Sequence, residues 1–155
     1  MNRVEANAEE VPLPPWSAAS LRFVRKVLKA LDRDRWELSI LYCSDRFIRG
    51  LNSRYRNHDE ATDILSFPQE HSPPPGSPGK RRGYYAAGDI AISLDTLVKN
   101  AEYFGIPADE ELRRLLIHGI LHLTGMDHRT NEESEPMLLL QEKILTNLTE
   151  ERIIP

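Results

Sequence analysis

A chain of 155 residues suffices for one domain that buries about 68–70% of its unfolded surface, and 40% hydrophobic with 28% charged residues is an ordinary soluble composition. The single cysteine, Cys43, excludes an internal disulfide framework and points to a reducing cytosol, while a polar, acidic start and no long apolar run speak against a signal peptide or membrane span. A net charge of −4 argues against a broad nonspecific grip on nucleic acid but leaves room for local basic clusters.

The first residues carry no obvious strand signal, and Pro12, Pro14 and Pro15 follow them. Ser17 can cap a helix whose apolar positions Leu21, Val24, Leu28 and Leu31 follow the helical period. Arg22, Arg25, Lys26 and Lys29 on that helix read as a solvated face. Trp36, Leu38, Ile40 and Tyr42 recur at every second position, which predicts a strand with Cys43 buried at its end. Ser44 can cap the next helix, with Phe47, Ile48, Leu51 and Tyr55 along one side and a second basic cluster at Arg46, Arg49, Arg54 and Arg56.

Residues 62–68 predict a second strand that Pro68 ends, and 88–93 a third. The two suit a hairpin whose long connection, 69–87, is rich in proline and glycine and holds His71 and the basic run Lys80, Arg81 and Arg82; loops of that length are more often functional than structural. Tyr84 and Tyr85 beyond it suit either stacking on bases or packing on the sheet. Leu94, Leu97, Val98, Ala101 and Phe104 predict a helix stopped at Gly105, and Pro107 introduces another at roughly 108–124. A last helix, from about 132 to 149, would carry Met137, Leu140, Ile144 and Leu148 inside and Glu132, Glu133 and Glu135 at its start. The expected fold is α+β: a single domain over residues 1–155, with a small mixed β-sheet covered by helices.

The helix at 108–124 holds the densest chemistry, His118-Gly-Ile-Leu-His122-Leu-Thr-Gly125-Met-Asp127-His128. At about 100° per residue, His118 and His122 point within about 40° of each other, at the edge of the stripe formed by Leu112, Leu115, Leu116 and Leu123. Gly125 supplies the left-handed residue that ends a helix, so the chain can turn back and bring His128 to the same point. Three neutral nitrogen ligands with one open tetrahedral position suit a catalytic zinc ion. The spacing is that of the extended zinc-protease motif, but Gly119 stands where that motif has its glutamate base. Gly119 should also cost about 1 kcal/mol relative to alanine in a helix, and a close approach of backbone or substrate would explain it.

This string closely resembles the H-G-x-L-H-L-x-G, hydrophobic, D-H signature of the bacterial YbeY family, zinc-dependent endoribonucleases of ribosomal RNA maturation. Two further blocks match in order. Leu51-Asn-Ser-Arg-Tyr-Arg56, then Asp59, then residues 62–68 resemble the family's L-N-x-x-Y-R and L-S-F-P block, and Gly88-Asp-Ile90 resembles its G-D-I strand. The resemblance spans about 36 to 145. Asn57-His58 departs from the Gly-Lys that is frequent there. The resemblance implies metal ligands at His118, His122 and His128, one zinc ion, a functionally important arginine at Arg56, and a cytoplasmic partnership with single-stranded ribosomal RNA and the ribosome or its small subunit.

The mechanism expected on that basis has water in the metal's open position, its pKa lowered toward about 7, attack the phosphodiester. Arg56 would offer its planar fork of donors to a phosphate. Asp127, beside a ligand, suits orienting an imidazole better than taking a proton. Asp63, Ser66 and Asp89 suit hydrogen bonds that hold loops and helix ends. Two rival readings are a zinc hydrolase of another substrate class and a ribosome assembly factor with a structural zinc.

Overall fold

The computed structural model describes residues 1–69 and 83–155; His71 and the basic run Lys80 to Arg82 lie outside the described residues. In chain order the elements are β1 (Arg3–Glu9), α1 (Ser17–Ala30), β2 (Trp36–Cys43), α2 (Asp45–Arg56), β3 (Ile64–Pro68), β4 (Tyr85–Ser93), α3 (Leu94–Phe104), α4 (Ala108–Leu123) and α5 (Pro136–Asn147). The sheet runs β1-β2-β4-β3: β2 is parallel to both β1 and β4, and β3 pairs antiparallel to β4 at the far edge. The mixed sheet and its helical cover are as the sequence predicts.

Alternation along the strands sorts the two faces. Trp36, Leu38, Ile40 and Tyr42 of β2, with Ile90 and Ile92 of β4, point into the main core, where Phe23, Val24, Val27 and Leu28 of α1 and the apolar side of α4 meet them. Leu41, Cys43, Leu65, Phe67 and Ala91 face the other way, onto Phe47, Ile48 and Leu51 of α2. Burial of Cys43 pushes its thiol up to about 12, so it is a packed apolar residue and not a nucleophile.

Three local expectations change. β1 is a strand, in register from Arg3↔Glu37 to Glu9↔Cys43. Its inward positions Val4, Ala6 and Ala8 are small and only half buried, so its periodicity is faint and pairing with β2 defines it. Asn2 pins the start, accepting from the Trp36 backbone N–H at 2.8 Å and donating to the Arg33 carbonyl at 3.0 Å. Ser17 does not cap α1: Trp16 is the cap residue, without a side-chain hydrogen bond. Finally, α5 begins at Pro136 rather than near 132. A residue before proline is pushed out of the helical region, and Glu135 is extended (φ −59, ψ 131).

Three members of the two described basic clusters are held in ion pairs. Lys26 pairs with Glu151, Arg46 with Glu10, and Arg49 with both oxygens of Asp59. Tyr85 packs on Trp36, and Tyr84 lies under the guanidinium of Arg3.

Candidate metal centre

α4 is buried almost all round, with Leu112, Leu116, Ile117, Ile120 and Leu121 fully enclosed. It lies so close to the sheet that a Cβ on Gly119 would stand 2.9 Å from Cδ1 of Ile90 and 3.0 Å from Cδ1 of Ile64. Backbone approach therefore explains this glycine. Neighbouring side chains at 118 and 122 consequently emerge beside the edge strand β3. They open onto a cleft of about 500 Å³ lined by Arg56, Ser66, Pro68, Gly125, Met126 and Asp127 among others.

The helix ends as the Gly125 signal predicts. Gly125 has φ 98, its N–H donates to the His122 carbonyl at 3.0 Å, and the Met126 N–H reaches back to the Leu121 carbonyl at 3.2 Å. These two bonds form a Schellman turn. It reverses the chain and carries His128 over the helix end: one ring nitrogen from each of His118, His122 and His128 lies within 4.8 Å of the other two.

Each imidazole is held from behind. His122 Nδ1 meets the Met126 carbonyl at 3.0 Å and His128 Nδ1 meets the Thr130 carbonyl at 2.8 Å. Carbonyl oxygens only accept, so both Nδ1 atoms carry hydrogen, the tautomer that in a neutral ring leaves the lone pair on Nε2. His118 Nδ1 faces Gln141 Oε1 at 2.7 Å, which makes the same assignment there. The Nε2 atoms of His118 and His122 lie 3.0 Å apart; with both rings neutral and hydrogen on Nδ1 their lone pairs oppose each other, which a cation would relieve. Burial pushes the pKa of both imidazoles down, which keeps them neutral and ready to ligate. Three imidazole nitrogens, each backed by an acceptor, fit a bound transition metal with an open position.

Asp127 does not orient an imidazole as expected; its carboxylate accepts from the His128 backbone N–H at 2.8 Å. Gln141 takes that kind of role, and the sequence carried a signal for it: a polar side chain four residues after Met137 and three before Ile144, on an inward-facing stripe. Glu135 was also missed. Its carboxylate accepts from the N–H and hydroxyl of Thr130, both at 3.1 Å, and so braces the loop that carries His128.

Across the cleft, Arg56 ends α2 and donates through Nη2 to the Ser66 carbonyl of β3 at 2.7 Å, its guanidinium 5.2 Å from the Phe67 ring centre. The side chain is exposed and its other donors remain for a ligand. Asp63 and Asp89 do hold structure: Asp63 accepts from Asn100 at 3.2 Å, and Asp89 accepts from Ser39. Ser66 Oγ lies 3.5 Å from the Gly119 carbonyl, linking the edge strand to α4.

The family model for endoribonuclease YbeY matches residues 3–149. The chain belongs to the YbeY endoribonuclease family. Among family members, the protein named endoribonuclease YbeY from Treponema pallidum (strain Nichols) is 44% identical over 147 residues, covering 94% of this chain and 89% of its own. Its namesake from Treponema denticola is 47% identical over 137 residues, 85% of either chain, and that from Persephonella marina 40% identical over 149 residues, 96% of this chain and 94% of its own. The fold is also that of a Thermotoga maritima protein solved in solution: TM-score 0.63 and 25% identity, over 97% of this chain and 91% of that one. The family match includes β1, so the first strand is part of the shared domain rather than an addition to it.

Proposed function

We propose that this protein is a zinc-dependent endoribonuclease that cleaves single-stranded regions of ribosomal RNA, chiefly of the small subunit, in maturation and ribosome quality control. It would work in the cytoplasm with the ribosome or its small subunit as partner. The observation that carries the reading is the convergence of three imidazoles, two of which, His118 and His122, line the same open cleft as the partly uncommitted guanidinium of Arg56.

In this reading His118, His122 and His128 hold the ion, which supplies Lewis acidity toward a phosphoryl oxygen and makes water nucleophilic near neutral pH. Arg56 binds the scissile or a flanking phosphate through the donors that Ser66 leaves free, and its fixed charge meets the charge that develops there. A peptide hydrolase is disfavoured by Gly119: a glutamate there would be driven into Ile90 and Ile64 of the sheet.

The test is cleavage of a ribosomal RNA fragment with single-stranded ends by zinc-loaded protein, beside Arg56→Ala and His118→Ala variants whose folding is checked by circular dichroism. Cleavage by the wild type alone supports the reading. Equal activity of all three removes the mechanism, and zinc binding without cleavage favours an assembly factor.

A further inference from the structure

The three orienting acceptors behind the imidazoles are not equivalent. Those behind His122 and His128 are backbone carbonyls, which can present nothing but an acceptor. The one behind His118 is the Gln141 amide, whose oxygen and nitrogen ends are nearly the same shape and opposite in polarity. Turned round, it would present its NH2 group, make Nδ1 of His118 the acceptor and put the ring hydrogen on Nε2, where a metal must bind. Something has to choose between the two orientations.

The structure holds a chain of contacts suited to that choice. Gln141 is buried, 7% exposed, and its Nε2 donates to Glu142 Oε2 at 3.1 Å. A carboxylate only accepts, so this contact commits the amide nitrogen and leaves the oxygen for His118. Glu142 is in turn gripped by Arg114, through Nε to one oxygen at 3.0 Å and Nη2 to the other at 3.1 Å, while the same guanidinium reaches Glu110 at 3.2 Å one turn back on α4. The paired fork fixes the carboxylate plane as well as its place.

We propose that Gln141 is a positioning residue for the metal centre, with Glu142 and Arg114 locking its amide so that His118 always offers Nε2 to the ion. This rests on the three-histidine metal reading. The chain runs Arg114, Glu142, Gln141, His118, and it makes metal affinity depend on residues that never touch the metal or the RNA.

The test measures zinc affinity of the full chain by competition with a chromophoric chelator, and the His118 tautomer by nitrogen-15 NMR of the zinc-free protein. Gln141→Leu should weaken zinc by about 10–100-fold without lowering the zinc-free melting temperature. Gln141→Glu, whose ionised carboxylate only accepts, should keep wild-type affinity or better it at neutral or higher pH. Glu142→Ala should weaken zinc and populate the Nε2–H tautomer in the wild-type background, yet not weaken it in the Gln141→Glu background. The last pair remains decisive if Gln141→Leu does not fold. Equal weakening by Glu142→Ala in both backgrounds overturns the proposal, as does Gln141→Leu that folds and binds zinc like wild type. A wild type that binds no zinc removes the metal reading itself, and this inference with it.

Discussion

Gly119 and Ile90 set how close the metal-binding helix comes to the sheet: a Cβ on the first would lie 2.9 Å from Cδ1 and 3.1 Å from Cγ2 of the second. Two effects oppose each other in Gly119→Ala. The helix gains about 1 kcal/mol from losing glycine's freedom, while overpacking a filled core costs about 1–3 kcal/mol. Contacts with two isoleucines at once make the second effect the larger, so the variant should be less stable in urea titrations. Ile90→Val should cost less in that background than in wild type, because it removes one of the colliding methyls; an alanine variant more stable than wild type would show that the isoleucines give way freely.

Arg56 is exposed and tied to β3 by one hydrogen bond, so its loss should leave the fold intact. If it meets the developing charge, Arg56→Ala should lower kcat/KM for a single-stranded ribosomal RNA fragment by about 10²–10³. Arg56→Lys should recover little, since an ammonium cannot both hold the Ser66 carbonyl and present a fork to phosphate. Single-turnover cleavage measures this, and a lysine variant at wild-type rate would mean that only charge matters there.

Binding of zinc to the folded state alone should raise the melting temperature, by about 4 kcal/mol of added stability at a thousandfold excess over Kd. α4 is packed on the sheet, α1 and α5 through apolar side chains, so the chelated protein should keep its circular dichroism spectrum. His128→Ala should abolish the zinc-induced rise while leaving zinc-free stability near wild type, because His128 sits on a loop beyond the core. Unfolding on chelation would instead assign the metal a structural role.

Asp45 predicts an acid limit to stability. Its carboxylate accepts from Ser93 at 2.6 Å, Thr96 at 2.5 Å and Lys99 at 2.7 Å, joining the start of α2 to that of α3. Burial opposes its ionisation, but the Lys99, Ser93 and Thr96 hydrogen bonds outweigh it and hold the pKa down to about 2. The unfolded chain takes up the proton at about pH 4, so the contribution is full above that value and is lost as pH falls through about 2. Denaturation midpoints should therefore decline more steeply with acid in the wild type than in Asp45→Asn, and parallel curves would show that the site contributes no linkage.

The helices with strong apolar periods, α2, α3 and α4, could be placed from their residues alone, as could the stops at Gly105 and Gly125. Short-range rules govern these: side-chain spacing, capping by Ser44, and a left-handed glycine. β1 could not, since Val4, Ala6 and Ala8 gain strand character only by lying against β2. The start of α5 was legible in principle at Pro136, but the acidic run before it looked like a first turn, whereas Glu135 turns back to brace Thr130.

The local pattern of His118, His122, Gly125 and His128 was enough by itself to determine a three-imidazole site, because a helical turn and a reversal after it are properties of contiguous chain. What backs and faces that site depended on the tertiary structure. Gln141 is 23 residues away from His118 along the chain, Arg56 reaches the cleft only because α2 ends against β3, and Gly119 proved to be a contact with Ile90 rather than an opening for substrate. Such partners are chosen by packing between distant segments, and no periodicity within one segment encodes which distant group will arrive.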